Sequence, residues 1–416
     1  MLLLVLMVAN SGCWDRIEVN DLAMVQGVAL DKVGPDTLEL TVALAVPAMI
    51  SPPGSMGGGA QQAPPLATKT GHGRTVMEAL SKLQEKVERR LHWAHNQVLL
   101  ISEELAREGV LPVLDFFARQ REPRLRTVVA VVPGRAADVL AVIQSLEPNV
   151  PMAIRDLEEL RTGVFITLKD FLAMLASEGQ DPVAARIEIV PAGARPPGQL
   201  GGQGQSGQGG KAQGGPEGPP QVAVTGAAVF KDDRLVGFLD DRLTRGVLWL
   251  RDELQTATVT ISLGDSGKWV SFNLVRAETR LKPRFEGERI IMEVKIETED
   301  DLNDNAAGVD AGDPEVLRLL QEELARRVAA RVSESARVVQ KKFKSDIFGF
   351  GEAVRRADPK RWQELKERWD EVFPQVEIAL KIKTRIRRTG LSTKPLGREE
   401  KKVIKAEELR KLLRGK

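Results

Sequence analysis

Apolar residues along this chain change their spacing several times, and each change marks an element. Val25–Leu30 and Thr37–Val46 are apolar runs on either side of Gly34-Pro35-Asp36. Turn residues between two such runs predict a β-hairpin. From Val76 the spacing lengthens: Val76, Leu80, Leu83 and Val87 fall on one helical stripe, with Thr75 as N-cap and Glu78 three residues on. Gln97–Ile101 and Arg126–Val132 read as short buried strands. Between them lies a helical segment that Ser102 can cap and that Gly109 and Pro112 divide in two. Helices over Arg135–Ile143 and Leu168–Ala176 and a strand at Arg186–Val190 follow. Strands alternating with helices at this spacing predict α/β layering.

The second half starts with a hairpin, Val222–Phe230 and Arg234–Phe238 about Lys231-Asp232-Asp233. A helix over 241–254 carries Leu243, Val247, Leu250 and Leu254. Ala257–Leu263 and Trp269–Val275 flank Gly264-Asp265-Ser266-Gly267 as another hairpin. Arg289–Thr298 alternates strictly, with Ile290, Met292, Val294 and Ile296 on one face, and Val376–Arg387 alternates likewise. Such alternation marks half-buried strands. Between the two lie a long helix from about Pro314 to Lys344, capped by Asp313, and another over Pro359–Val372. The run Phe348-Gly349-Phe350-Gly351 predicts a sharp turn whose phenylalanines share a core with Trp362 and Trp369. The expected fold class is mixed, α+β or α/β, with up to three domains, each a mixed β-sheet decorated with α-helices.

Two stretches have no packing face. Residues 51–66 form a Gly/Pro loop, and residues 191–221 hold 11 Gly and 6 Pro. Such chain cannot bury enough apolar area to offset its ordering entropy. These breaks divide the sequence into an apolar leader, 1–12; an N-terminal domain, 13–190; a linker, 191–221; and a C-terminal region, 222–390, with room for a further split near 265–285. A tail, 391–416, carries a net charge of +5. That tail can lie on anionic head groups or form a frayed amphipathic helix.

Composition narrows the function. Hydrophobic residues make up 42% and charged residues 28% of 416, which excludes both full disorder and a multispan membrane protein. A net charge of +2 argues against a nucleic-acid partner held by bulk charge. The lone cysteine, Cys13, excludes intrachain disulfides and Cys-rich zinc sites.

Cys13 follows nine nearly all apolar residues and the small residues Ser11 and Gly12. The run is half the length of a spanning helix and matches the apolar region of a signal peptide. Small residues before a single cysteine are what a bacterial lipoprotein signal offers. Cys13 is therefore the expected lipidation site, carrying covalent diacylglycerol. Asn10 stands where leucine is usual and no Lys or Arg precedes the run, as a start codon placed too far downstream would explain.

Other motifs are weaker. Gly202, Gly204 and Gly207 match GxGxxG but sit in the Gly/Gln linker, with no strand before them. Asp301, Asn303 and Asn305 resemble the start of an EF-hand loop, but Ala306 and Gly312 occupy positions that need glycine and glutamate, so a solvated acidic loop is expected. His92 and His95 could share a metal, with His72 the only other histidine; a packed pair beside Trp93 is the simpler reading. HExxH, GxSxG, Walker A and CxxC motifs are absent from the sequence, so no catalytic residue, metal site or cofactor is expected.

Several stretches resemble one family. Gly12-Cys13-Trp14-Asp15 with Glu18 and Leu22-Ala23 is similar to the lipidated start of the Ger(x)C spore germination proteins. So are His95-Asn96-Gln97-Val98-Leu99-Leu100-Ile101, the Glu103–Gly109 segment, and Leu114-Asp115-Phe116-Phe117 with Arg119. Gly226–Lys231, Leu235-Val236-Gly237 and Arg245-Gly246 resemble the start of the family's C-terminal region. Lys344-Ser345-Asp346-Ile347-Phe348-Gly349-Phe350-Gly351, followed by Trp362, Trp369 and Phe373-Pro374, is the closest match. The motifs occur in family order over residues 13–390. The resemblance implies the lipoprotein component of a nutrient germinant receptor, the C component of three. Such a component is non-enzymatic and lies on the outer face of the spore inner membrane, and its partners are subunits A and B and membrane lipid. It also implies three α/β domains and no catalytic residues. Two rivals stand beside it: a solute-binding lipoprotein that captures the nutrient, and a peptidoglycan-acting enzyme.

Overall fold

The computed structural model describes residues 18–45, 66–142, 149–159, 163–192, 218–390, 392, 395 and 403–414. The leader 1–12, Cys13, most of the 51–66 loop and Gly202, Gly204 and Gly207 lie outside the described residues.

Strands β1 (Leu22–Gly34) and β2 (Thr37–Ala45) form the first expected hairpin, with Asp31 opposite Glu39. Strand β3 (Leu66–Gly73) continues the meander. Its glycines make it hard to read as a strand, and they have a packing reason. A Cβ on Gly71 would sit 2.2 Å from the Ala79 carbonyl oxygen, so helix α1 (Val76–Gln84) lies directly on the strand backbone. Thr75 Oγ1 accepts the Glu78 N–H as expected, and Glu78 accepts from Arg74 N. The short β4 (Arg90–His92) and then β5 (Val98–Ser102) both run parallel to β1. Helices α2 (Glu103–Glu108) and α3 (Leu111–Arg119) divide at Gly109, which has φ +132°. Ser102 precedes α2, but its buried hydroxyl makes no capping bond. Strand β6 (Val128–Val132) follows, then α4 (Ala136–Leu140). The start of α4 is capped from outside: Asp31 accepts from the Ala136 and Ala137 N–H groups at 2.6 and 2.9 Å. Helix α5 (Val150–Glu159), the two-residue β7 (Ile166–Thr167) and α6 (Leu168–Leu175) lead to β8 (Val183–Ala192).

The sheet does not stop there. Strand β9 (Gly218–Lys231) pairs antiparallel with β8 from Val183↔Val229 out to Ala192↔Gly218, and β10 (Arg234–Asp240) pairs with β9. The spatial order is β10-β9-β8-β6-β5-β1-β2-β3. The segment read as an interdomain linker therefore joins two hydrogen-bonded neighbours of one sheet. Its ends already meet, so its length costs only slowly growing closure entropy. Deleting residues 196–215 is expected to shift the melting temperature by less than about 5 °C, on the order of 1–2 kcal/mol for chains of this size. Calorimetry of the deleted and full chains checks this.

Helix α7 (Asp241–Leu250), capped by Asp240, covers the first sheet and leads to the second. That second sheet has the order β11-β12-β13-β14, with β11 (Thr258–Ser262), β12 (Trp269–Glu286), β13 (Arg289–Asp304) and β14 (Glu377–Arg388). A subdomain split near 265–285 is not found: β12 runs unbroken through most of that range. The charges of 276–286 and Pro283 suggest a break. Beyond Leu274, however, no strand pairs with β12 on the β11 side among the described residues, and an edge tolerates both. The acidic run Asp301–Asp304 is likewise the end of β13, not a loop.

Strand β14 is parallel to β13, reached through α8 (Pro314–Val338), a π turn Val339–Phe343, α9 (Phe350–Ala357), α10 (Pro359–Leu365) and α11 (Trp369–Val372). Helix α8 covers the apolar face of this sheet and touches α7 closely: a Cβ on Gly246 would lie 2.1 Å from Ser335 Oγ. The tail is not frayed where it is described. Helix α12 (Ala406–Arg414) buries Leu409 and Leu413 against the α8 end of the second core, and Arg318, helped by Arg410 of the tail, holds the Glu315 carboxyl down at about 2. No helix among the described residues is long and apolar enough to cross a membrane.

On the helix-covered face of β13, Asp300 takes an apolar position, 2% exposed, and accepts from Thr298 Oγ1 at 2.5 Å. Burial pushes its carboxyl up to about 6. The folded chain then holds this proton more tightly than the unfolded chain. The associated stability is complete below about pH 4 and is lost as pH rises through about 6. Asp300→Asn removes the ionisation cost. The variant is expected to match wild type near pH 4 and exceed it by about 2–3 kcal/mol above pH 7. Urea unfolding across pH reads the difference.

Candidate functional site

The Lys344–Gly351 segment, the strongest motif in the sequence, sits where the two sheets meet. Lys344 ends the π turn in the left-handed region, φ +51°, and Gly349 turns the chain again at φ +78° before α9. Between these turns Asp346 is 2% exposed. Its Oδ1 accepts from the Gly349 and Phe350 N–H groups at 3.0 and 3.1 Å. Its Oδ2 accepts from Gly351 N–H at 2.8 Å and from Trp369 Nε1 at 3.0 Å. One carboxylate thus caps α9 and anchors an indole from α11.

The same residue is tied to the first sheet. Asp346 N donates to Asp181 Oδ2 at 2.7 Å, and Asp181 N donates to the Asp346 carbonyl at 2.9 Å. Lys231 Nζ bonds Asp181 Oδ2 at 3.1 Å and also reaches Asp370. Ser345 Oγ donates to the Phe230 carbonyl, and Arg251 to that of Ile347. Burial pushes the Asp346 carboxyl up to about 7, against the N–H donors that favour its ionised form. Burial also raises Asp181, with Lys231 opposing it. Burial works against the Lys231 ammonium as well, yet Asp181 and Asp370 hold it charged.

Around this hub the expected aromatic core is present. Phe348 and Phe350 lie 5.2 Å apart, Trp362 and Trp369 meet edge to face at 5.3 Å, and Phe373 touches both phenylalanines and Trp369. The shared core of phenylalanines and tryptophans is legible in the sequence; the role of the Asp346 carboxylate and its link to Asp181 are not. A partial signal exists: an aspartate three residues before a Gly-Phe-Gly turn can cap the helix that follows. With both oxygens occupied by donors and sealed from solvent, Asp346 is a joint and offers no oxygen to a substrate.

The other sequence candidates do not converge. His72 bonds Glu39 at 2.9 Å on β2, while His92 faces Glu122 at 3.7 Å and stands 5.9 Å from the His95 ring. Among the described residues no cluster of three metal-ligating side chains occurs. Asp301 pairs with Arg387, and Asn305 instead caps a turn by accepting from the Gly308 and Val309 N–H groups. Two of the larger open concavities among the described residues lie near these elements. A groove of about 770 Å³ between α1 and α3 is floored by Leu80, Trp93 and Phe116 and rimmed by Arg90 and Glu122. A polar cleft of about 700 Å³ beside the hub is lined by Gln180, Arg251, Glu253, Thr279, Glu352 and Arg355.

Comparison with known proteins assigns this architecture. Residues 15–189 match the family model for the spore germination protein N-terminal domain, and residues 225–390 match that for spore germination B3/GerAC like, C-terminal. Spore germination protein KC of Bacillus subtilis (strain 168) is 28% identical, over 95% of this chain and 96% of that protein. Spore germination protein B3 of the same organism is 24% identical, over 92% and 95%. The crystal structure of the GerBC protein aligns with a TM-score of 0.55 at 19% identity, covering 89% of this chain and all of that one.

Proposed function

The chain belongs to the Ger(x)C spore germination family, and from that premise we propose that it is the lipid-anchored, non-enzymatic lipoprotein component of a nutrient germinant receptor. The observation that carries the reading is similarity over nearly the whole length of both chains, joined to a lone cysteine that follows a short apolar run and two small residues. Diacylglycerol on Cys13 holds the mature chain on the outer face of the spore inner membrane. Two acyl chains suffice for stable anchoring, at about 0.8 kcal/mol per buried methylene. The folded body docks on membrane subunits A and B and helps convert nutrient binding into germination.

Cys13→Ala is expected to move the protein from the membrane fraction to the soluble fraction and abolish incorporation of a lipid label. A mutant that stays membrane-bound, with an unlabelled wild type, overturns the anchor. Co-purification with the two membrane subunits from dormant spores tests the assembly. The polar cleft beside the hub, with both charge signs converging between the two sheets, favours one second reading: a lipoprotein that captures the nutrient itself. Saturable nutrient binding by the purified chain, lost in Arg251→Ala, would support it.

A further inference from the structure

Strands β1, β5, β6 and β8 are mutually parallel neighbours, so their N-terminal ends gather at one end of the first sheet. Three segments meet there. The described chain enters at 18–21, and Leu22 pairs with Arg90. The turn before β4 carries Glu88 and Arg89, and β4 opens on Arg90. The segment before β6 reads Arg119-Gln120-Arg121-Glu122-Pro123-Arg124-Leu125-Arg126, four arginines against one glutamate. Glu122 binds the last two segments together, accepting from Arg90 at 3.1 Å and from the Trp93 N–H at 3.4 Å. Arg90 is thereby engaged, and Arg119 is held by Asp115 at 2.6 Å. That leaves Arg89, Arg121, Arg124 and Arg126 exposed and without an acidic partner among the described residues. Large apolar side chains stand out at the same end: Leu125 is 48% exposed between two of these arginines, and Val19 is 66% exposed at the chain entry.

We propose that this arginine-rich end of the first sheet is a docking surface for the anionic head groups of the bilayer that holds the chain. The inference rests on the lipid-anchor reading and deepens it by giving the anchored body an orientation. Two arguments select a membrane as the occupant. Unpaired arginines complement anionic lipid, and an exposed leucine among them can enter the head-group layer. Where the chain ends gives the second: Leu22 lies nine positions after Cys13, a reach of at most about 30 Å. A lipid on Cys13 therefore brings this end of the sheet to the membrane before any other.

The test uses the chain from residue 13 with Cys13→Ser, so that no lipid is attached, and sedimentation with vesicles. Phosphatidylcholine vesicles containing phosphatidylglycerol should bind it and pure phosphatidylcholine vesicles should not, with binding lost as salt rises. The triple variant R121E/R124E/R126E should bind at least about tenfold more weakly, since each basic side chain near an anionic surface counts. Its melting temperature should match that of the parent. If charge reversal lowers the melting temperature, R121Q/R124Q/R126Q is read instead. Equal binding to both vesicle types, no binding, or undiminished binding by the variant overturns the proposal. So does a variant that loses only co-purification with membrane subunits, which makes the patch a protein contact. The lipid-label assay on Cys13 reads the anchor separately, so either idea can fail alone.

Discussion

Trp369→Ala and Phe348→Ala are each expected to destabilise the chain by about 3–5 kcal/mol, the usual cost of truncating a fully packed aromatic residue. Both side chains are 4% exposed. Phe348 packs on Phe350 and Phe373, and Trp369 on Trp362 and Phe373, so neither cavity can close by moving one neighbour. Trp369→Ala also leaves an oxygen of Asp346 without its indole donor. Trp369→Phe separates the two effects: it keeps most of the packing and loses the hydrogen bond, for about 1–3 kcal/mol. Denaturant unfolding of the purified chain measures all three. If Phe348→Ala and Trp369→Ala unfold like wild type yet abolish germination, the segment is a partner-docking surface and the core assignment fails.

Asp346→Asn should cost about 3 kcal/mol or more, although the side chain barely changes size. Four N–H groups converge on the carboxylate. Asparagine offers one oxygen to them, and its own NH2 then faces donors from Gly351 and Trp369, or from Gly349 and Phe350 if it is flipped. Buried donors left unmatched carry their full desolvation penalty. Because Asp346 and Trp369 share one bond, Trp369→Phe should cost less in the Asp346→Asn background than in wild type, by about 1 kcal/mol. Additive effects in the double-mutant cycle would show that the indole bond contributes nothing.

Much of the architecture is legible in the sequence because its signals are local. The β1–β2 turn, the Thr75 cap, the alternation of β13 and the proline-led start of α8 are each decided within a few residues. What escapes is decided elsewhere in the chain. Strand β3 resembles a loop because its glycines answer to the backbone of α1. The far half of β12 resembles a boundary because no strand pairs with it on the β11 side among the described residues. The Gly/Pro stretch at 191–221 has the composition of a domain linker, and nothing local tells that Ala192 and Gly218 are paired. Asp346 is visible as part of a motif, but its Asp181 partner lies 165 residues away and no spacing rule reaches that far. Cys13 is the opposite case: its expected chemistry is carried entirely by the few residues before it.

The distance between Asp181 and Asp346 along the chain has a temporal meaning. During synthesis the first sheet is complete in sequence once β10 has emerged; Asp181 and Lys231 can then pair with each other, but Asp181 still lacks the Asp346 N–H, Lys231 lacks Asp370 and the Phe230 carbonyl lacks Ser345. The last strand of the second sheet comes later still, after the whole crossover from α8 to α11. Contacts of such long range form late and slowly, because loop closure must precede any gain from them. A nascent chain that stalls before Trp369 therefore exposes a half-built joint, with Asp346 lacking its indole donor, Lys231 lacking Asp370 and one edge of β13 open. Chaperone capture or proteolysis of the nascent chain is expected to be concentrated in that interval, which closes when Trp369 completes the core around Asp346 and β14 covers the open edge of β13.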